Sequence, residues 1–326
     1  MKRAFISFLF GAMTVLLFAQ EGVKVTTYQF AEKEGQVLNM DVYVDSSAWK
    51  DEALHPVFIF SFGGSWEHGT RKDGKAILED FARHGYLSVG IDYRLGVRKA
   101  KEQGVQVNAE TFGQVYSNAI AMGIEDLFDA TAYVISHAGE WKVDPQRIVV
   151  CGSSAGAINT LTAEYLICNN HPLASQHLPE GFNYAVAIPL AGGVWIMDTD
   201  SLVWQKKPCP ILAYHGTKDQ LVPYGNIVLA GGAGGGFGPD YFIPQLKQMQ
   251  VPYLFHSYKD CDHIIAMIHG SKSAREEMLS AINKVVEEKL TLTSTIMDEF
   301  YGDVPSLANF FDAIDLLGIE WEMPNH

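Results

Sequence analysis

The stretch from Gly152 to Gly156 places the strongest constraint on how this chain can fold. It follows the apolar, β-branched run from Ile148 to Cys151 and precedes the segment from Ala157 to Leu166, which can continue as a helix. An uninterrupted apolar run is typical of a strand buried on both faces of a parallel sheet. The pattern Gly-x-Ser-x-Gly lets the backbone turn sharply into the helix and leaves the central Ser154 exposed at the turn. We therefore expect an α/β protein with Ser154 as a candidate nucleophile, against a purely structural glycine turn.

The rest of the chain alternates strand-like and helix-like segments. The first two strands are joined by a polar, glycine-containing turn and predict a hairpin at the sheet edge. Strands that alternate with helices favour right-handed crossovers and a mostly parallel sheet with helices on both faces. The expected strands are 23–30, 36–44, 56–62, 86–92, 148–151, 184–190, 210–215 and 251–256, and the expected helices are 76–85, 119–137, 157–166, 241–249 and 274–289. The stretch between Leu190 and Pro210 is too short for a large cap domain.

A serine hydroxyl needs a base within hydrogen-bond reach and a third group that orients the base. Asp219 follows the expected strand 210–215, and His263 follows the expected strand 251–256. Because catalytic groups in parallel sheets gather at the carboxyl ends of the strands, both should converge on Ser154. The alternatives are a surface-turn role for Asp219, and His256 or His269 as the base.

Two further segments bear on the candidate site. Gly64 and Ser65 follow the strand 56–62, and their backbone amides, with that of Ala155, are candidate donors to an oxyanion; an ordinary glycine turn is the alternative. Trp66 either lines the pocket or packs in the core. His215 is expected to hydrogen-bond the backbone of its own turn. The glycine-rich segment 225–238 lacks the residue order of a phosphate-binding loop and is expected to be a flexible loop.

These features occur in the order found in one large family. The motifs are Leu38-x-Met40-Asp41-Val42-Tyr43, Phe62-Gly63-Gly64-Ser65-Trp66, Asp92-Tyr93-Arg94-Leu95, Asp144-Pro145-x-Arg147-Ile148, Gly152-Ser153-Ser154-Ala155-Gly156 and His215-Gly216-Thr217-x-Asp219-x-x-Val222-Pro223. Over about residues 25 to 290 the chain resembles the α/β-hydrolases, specifically the carboxylesterase and hormone-sensitive-lipase-like branch that includes acetyl and feruloyl esterases. One departure is that Phe62 and Ser65 stand where the family usually has the first His and last Gly of His-Gly-Gly-Gly-Trp. The loop thereby loses the histidine that commonly braces it.

The first residues have the pattern of a cleaved secretory signal. A positive start at Lys2 and Arg3 precedes an uncharged apolar run from Ala4 to Phe18 and a small residue at Ala19. This predicts a signal peptide over 1–19 and a periplasmic or secreted protein, with no stable membrane insertion after cleavage; an uncleaved anchor is the alternative. The net charge of −14 argues against a nucleic-acid partner, which would require a basic surface.

We expect residues 20–290 to form the catalytic domain and 291–326 to form a C-terminal helical extension packed on it. Leu307, Phe310, Phe311, Ile314 and Leu317 fall on one helical face in this extension. Packing on the core is the first interpretation of that face, and a homodimer contact is the second. The four cysteines are too few for a disulfide framework in a chain of this length, although single pairings stay open.

Together these observations predict a secreted serine carboxylesterase. Ser154 would attack the ester, His263 would transfer the proton, and Asp219 would orient His263; no metal or organic cofactor is implied. Short-chain or aryl esters are the expected substrates, with acetyl or feruloyl groups on glycans as candidates. A prolyl- or dipeptidyl-peptidase-like hydrolase is one alternative, and a non-catalytic binding protein with a hydrolase fold is another.

Overall fold

The computed structural model of the chain describes residues 22–49, 53–196, 199–228 and 234–320. The expected signal peptide lies outside the described residues. The strands are β1 Lys24–Lys33, β2 Gln36–Val44, β3 His55–Ser61, β4 Leu87–Ile91, β5 Val143–Ser153, β6 Val186–Leu190, β7 Val194–Ile196, β8 Ile211–Gly216, β9 Asn226–Val228, β10 Gly235–Phe237, β11 Tyr253–Tyr258 and β12 Thr293–Asp298. The helices are α1 Lys75–Arg83, α2 Gly96–Glu102, α3 Phe112–Ser136, α4 Ala138–Trp141, α5 Ala155–Cys168, α6 Pro172–His177, α7 Pro239–Met249, α8 Lys272–Ile282 and α9 Phe310–Leu316, with 3₁₀ helices at His263–Gly270 and Leu307–Asn309 and a π-helical turn at Asn283–Glu287.

A nine-stranded sheet organises the described residues, in the order β1-β2-β4-β3-β5-β6-β8-β11-β12. The pairs β1–β2 and β2–β4 are antiparallel, and every other neighbouring pair in this sheet is parallel. The strands β4, β6 and β8 are buried along their whole length, as expected for a sheet covered by helices on both faces. The predicted fold class is therefore confirmed, including the antiparallel N-terminal hairpin.

The elements around β5 fix the position of Ser154. The buried end of β5 leads through Ser153 directly into α5, and β5 lies between β3 and β6. The strands β3, β5, β6, β8 and β11 run parallel, so their carboxyl ends lie at one edge of the sheet. The loops that follow β3, β8 and β11 contain the other candidate site residues, and the topology brings them to the same edge as Ser154.

A second, three-stranded sheet, in the order β7-β10-β9, was not expected from the sequence. Two parts of the glycine-rich segment 225–238, which we expected to be a flexible loop, form β9 and β10, while residues 229–233 lie outside the described residues. A Cβ atom at Gly236 would lie 3.1 Å from the indole ring of Trp195 in β7. The absence of a side chain at Gly236 thus lets β10 lie close to Trp195, a packing reason that outweighs the low strand propensity of glycine.

The segment after residue 290 differs from the expected helical extension. It begins with β12, which pairs in parallel with β11 and adds a ninth strand to the sheet. Within α9, Ala313 and Ile314 are buried, whereas the side chain of Phe311 is 73% exposed. Only part of the apolar face that we expected therefore packs inward. The short β-branched run in β12 favours a strand, and it pairs in parallel with β11 at the edge of the sheet.

No helix within the described ranges is long and apolar enough to cross a membrane.

His256, in β11, lies between two carboxylates, that of Glu277 in α8 and that of Asp298 in β12. Its Nδ1 lies 2.9 Å from Glu277 Oε1, and its Nε2 lies 2.9 Å from Asp298 Oδ2. Burial opposes the charged imidazolium, but the two carboxylates outweigh it and raise the pKa of His256 above its usual value. A pKa raised on folding contributes stability that is present below the unfolded pKa and is lost as the pH rises through the folded pKa.

We therefore expect His256→Phe, which keeps a ring to stack on Tyr258, to lower the melting temperature by several degrees near about pH 6 and by less near about pH 9. Thermal unfolding followed at both pH values would measure this difference. An equal loss at the two pH values would show that the charge on His256 contributes nothing to the stability.

Candidate active site

Ser154 occupies a strained turn between β5 and α5. Its backbone has φ of 51° and ψ of −116°, outside the regions that non-glycine residues ordinarily adopt, and its N–H donates to Leu190 O at 2.9 Å. A Cβ atom at Gly152 would lie 2.2 Å from Gly156 O, and one at Gly156 would lie 2.1 Å from Ser61 O. Gly152 is thus sterically required by the tight turn, and Gly156 is required by the close approach of the start of α5 to the end of β3.

A continuous chain of hydrogen bonds joins three of the predicted site residues. Ser154 Oγ lies 2.7 Å from His263 Nε2, and His263 Nδ1 lies 2.6 Å from Asp219 Oδ2. An ionised carboxylate can only accept, so Asp219 requires the proton of His263 on Nδ1. The lone pair of Nε2 is then left to accept the hydrogen bond from the Ser154 hydroxyl. This arrangement can withdraw a proton from Ser154 Oγ.

The environment of Asp219 keeps its carboxylate ionised. Its Oδ1 accepts the backbone N–H groups of Leu221 and Val222, each at 2.9 Å, and its side chain is fully buried. Burial opposes the charged form, but the hydrogen bonds from His215 and His263 outweigh it and hold the pKa of Asp219 well below its usual range. Asp219 therefore carries its negative charge at every pH at which the protein would be assayed.

His215 contributes to this environment in a way that the sequence did not indicate. Its Nε2 donates to Val222 O at 2.9 Å, the backbone contact that we expected, and it also lies 3.4 Å from Asp219 Oδ2. The ring is 1% exposed. One buried imidazole thus fixes the turn that follows Asp219 and faces its carboxylate. The four-residue spacing between His215 and Asp219 is the only sequence signal that could have pointed to this contact.

The loop after β3 lies against the turn at Ser154. A Cβ atom at Gly63 would lie 3.2 Å from Ser154 Cβ, so backbone and nucleophile candidate are in close contact. Gly64 has φ of 116° and Ser65 has φ of 57°, which shows how tightly the loop bends. Within the described part of the chain, the N–H groups of Gly64, Ser65 and Ala155 donate no hydrogen bond. They are therefore available to a ligand.

Aromatic packing braces this loop without the histidine of the family motif. Phe62 stacks on Tyr93 with ring centroids 4.2 Å apart, and Tyr93 Oη donates to Phe62 O at 2.8 Å. Trp66 is 3% exposed, and its Nε1 donates to Asn159 Oδ1 at 2.9 Å. Trp66 thus packs in the core, which settles the alternative that the sequence left open. The loop lacks the family histidine at residue 62, but contacts with Tyr93 on one side and Asn159 on the other hold it in place.

The two alternative bases lie in other environments. His256 is held between Glu277 and Asp298, as described above. His269 lies at the far end of the 3₁₀ helix His263–Gly270, where burial and the nearby Arg275 lower its pKa to about 4. Neither ring hydrogen-bonds to Ser154 or Asp219 in the part of the chain that the structure describes.

All four cysteines are buried free thiols, and burial raises the pKa of Cys151 well above its usual value. Among the described residues, no cluster of three His, Cys, Asp or Glu side chains is arranged to hold a metal ion.

Comparisons with known proteins agree with this architecture. Residues 40–172 match the BD-FAE family model, an esterase-type α/β-hydrolase family. Esterase LipC of Mycobacterium tuberculosis is 29% identical over 132 residues, which cover 40% of this chain and 28% of LipC. Neuroligin-2 of Mus musculus is 28% identical over 140 residues, which cover 42% of this chain and 14% of neuroligin-2. The aligned segments thus span less than a third of either curated relative.

Solved structures extend the likeness to most of the chain. Esterase 2 of Thermogutta terrifontis, in a structure in which it is phosphonylated by cyclosarin, has a TM-score of 0.57 and 21% sequence identity. The superposition covers 84% of this chain and 96% of that esterase. At this identity the likeness concerns the fold. The chain therefore has the α/β-hydrolase fold, and its residues 40–172 are similar to the esterase-type BD-FAE family.

Proposed function

We propose that the protein is a serine carboxylesterase in which Ser154, His263 and Asp219 act as a catalytic triad. The observation that carries this proposal is the hydrogen-bonded chain from Ser154 Oγ through His263 to a buried, ionised Asp219. An arrangement of this kind raises the nucleophilicity of a serine hydroxyl that is unreactive alone. The esterase assignments of the matched family and of LipC support the same reaction class.

The reaction would proceed in two halves. Ser154 Oγ attacks the ester carbonyl while His263 Nε2 takes its proton, and Asp219 stabilises the resulting imidazolium. The tetrahedral intermediate then collapses, the C–O bond to the alcohol breaks, and His263 returns the proton to the leaving alcohol. In the second half, water attacks the acyl-Ser154 ester with His263 again as base, and the carboxylic acid leaves.

The backbone amides of Gly64, Ser65 and Ala155 are the proposed donors to the oxyanion that forms on the carbonyl oxygen. Their free N–H groups lie on the two segments that meet at Ser154. Preorganised donors of this type commonly contribute about 2.7–4 kcal/mol each to stabilisation of the transition state. The bracing by Tyr93 and Asn159 supports this role, because donors that move would lose that advantage.

We propose short-chain or aryl esters as the substrates, including acetyl or feruloyl groups on glycans, and a periplasmic or secreted location. The connection from β6 to β8, between Leu190 and Ile211, supports an open site because it is too short for a large cap domain and adds only the strand β7 among its described residues. Thermogutta terrifontis esterase 2, which shares the fold, has been crystallised with propionate bound. The apolar run after Lys2 and Arg3 supports export.

Hydrolysis of nitrophenyl acetate, butyrate and octanoate by the purified chain tests this proposal. We expect kcat/KM to be at least about tenfold higher for acetate or butyrate than for octanoate, since an open site offers a long acyl chain little apolar surface. A proline-containing dipeptide nitroanilide, the corresponding amide probe, should be hydrolysed far more slowly. Preference for octanoate would contradict the short-chain assignment, and preference for the anilide would indicate a peptidase.

A further inference from the structure

The C-terminal segment is attached to the loop that carries His263. Asp262, the residue directly before His263, accepts the backbone N–H of Leu307 at 3.1 Å on Oδ1 and 3.0 Å on Oδ2. The same carboxylate accepts the N–H of Ile264 at 3.0 Å and thereby caps the 3₁₀ helix that begins at His263. A single side chain thus bonds to the backbone after His263 and to a residue far along the chain.

Two other attachments hold the same segment in place on either side of this contact. Before it, β12 pairs with the whole length of β11, and Lys259 N–H donates to Asp298 O at 2.8 Å. After it, Glu320 N–H donates to Gly270 O at 2.9 Å, and Arg275 binds the Glu320 carboxylate at 2.7 Å. The chain from the end of β11 to Gly270, which includes His263, is therefore bordered by the C-terminal segment at its start, at Asp262 and at its end.

A fixed loop position is more important for His263 than for an ordinary loop residue, because a general base must stay within hydrogen-bond reach of its partners. His263 must keep its Nε2 near Ser154 and its Nδ1 near Asp219 at the same time, and both contacts are short. The strands beneath the loop fix where it starts, but its path after Tyr258 depends on bonds made within and around it. Displacement of a catalytic group by about 1 Å can cost about a hundredfold in rate.

We propose that residues 293–320 act as a positioning element for His263, with Asp262 as the positioning residue that transmits the constraint. The inference rests on the proposed esterase function and assigns to the C-terminal segment a role in the chemical step. Asp262 would act through the loop that carries His263 and not on the substrate itself. It holds the first turn of the 3₁₀ helix in register with the backbone at Leu307.

Leu307 permits a sharp test, because its contribution to this contact is a backbone N–H. Leu307→Pro removes the donor N–H, whereas Leu307→Ala keeps it. Both substitutions remove part of the leucine side chain, so the N–H is the main difference between the two variants. Proline is tolerated here, since Leu307 is the first residue after the N-cap Ser306, whose extended backbone suits a residue before proline. The side chain of Leu307 is 44% exposed, so the alanine variant should behave like the wild type.

We expect Leu307→Pro to lower kcat for nitrophenyl acetate by about tenfold relative to Leu307→Ala, with little change in KM or in melting temperature. In the Asp262→Ala background the proline substitution should have no further effect on kcat, because the acceptor is already gone. Asp262→Asn, which keeps an acceptor oxygen, should recover most of the activity that Asp262→Ala loses. Asp312→Ala, an exposed carboxylate on α9, serves as the matched control in the same segment and should leave kcat unchanged.

Equal kcat values for Leu307→Pro and Leu307→Ala would overturn the inference while leaving the esterase assignment intact. If Leu307→Pro lowers the melting temperature substantially, the test is the comparison of Asp262→Asn with Asp262→Ala. Equal kcat values for these two variants, with the same loss of stability in both, would show that Asp262 only caps the 3₁₀ helix and does not position His263. Failure of the wild type and Leu307→Ala to hydrolyse any ester would instead contradict the proposed function.

Discussion

Replacement of Ser154 by alanine is expected to lower kcat/KM for nitrophenyl acetate by at least about 10⁴-fold. The substitution removes only Oγ, and the Cβ atom that already tolerates the φ of 51° stays, so the turn should keep its shape. His263 Nε2 then has no hydroxyl to deprotonate, and no acyl-enzyme can form. Residual activity would come from substrate binding and the oxyanion donors. Steady-state hydrolysis, with circular dichroism as the check on folding, measures this effect.

The neighbouring hydroxyl provides the control. Ser153 is buried, and its Oγ donates to Ala266 O at 2.7 Å, whereas His263 Nε2 hydrogen-bonds to Ser154 Oγ. Ser153→Ala should therefore reduce stability by about 1 kcal/mol through loss of that hydrogen bond, and retain activity within about tenfold of the wild type. If Ser153→Ala were as inactive as Ser154→Ala, the effect at residue 154 would have to be attributed to the turn and not to its hydroxyl.

Asp219→Asn is expected to lower kcat by about 10⁴-fold while leaving the fold intact. The amide oxygen can accept the N–H groups of Leu221 and Val222 as Oδ1 does now. The amide nitrogen would then face His263 Nδ1 and donate to it, which moves the ring proton to Nε2. In that tautomer Nε2–H can no longer accept the proton of Ser154, so the base is lost without any change of position.

The contact between His215 and Asp219 adds an expected effect of Asp219→Asn on stability. With a carboxylate at residue 219, the Nε2–H of His215 faces a negative oxygen, whereas an amide nitrogen there would face it with another donor. We therefore expect Asp219→Asn to lose stability as well, measurable as a lower melting temperature, in addition to the fall in kcat at all accessible pH values. Activity within tenfold of the wild type would contradict the assignment of Asp219 as the residue that orients His263.

The positions of Ser154, Asp219 and His263 could be predicted because each follows a recognisable apolar strand. In a parallel sheet such positions share one edge whatever the details of packing, so strand order alone brings them together. The glycines at 152 and 156 add a steric signature that few other turns require. Local sequence thus carried enough information to place these three residues at one edge of the sheet.

Other features depend on contacts between distant residues and were missed for that reason. The pairing of β12 with β11, the strand at Gly235–Phe237 and the contact of Asp262 with Leu307 each need a partner that no local pattern specifies. Phe62 also depends on a distant contact, because the sequence showed only that the loop lacks the histidine that commonly braces it. The stacking of Phe62 on Tyr93 supplies the missing support from a residue more than thirty positions away.

The most direct test of the central claim is covalent labelling of the wild type and of Ser154→Ala with paraoxon, a reagent that phosphorylates Thermogutta terrifontis esterase 2. Intact-mass and peptide mass spectrometry would locate the adduct, and ester hydrolysis would be followed in the same samples. We expect one diethylphosphoryl group on Ser154 of the wild type, with activity lost in proportion to labelling, and no adduct on the variant. Labelling of another residue, or full activity in labelled protein, would contradict the proposal that Ser154 is the nucleophile.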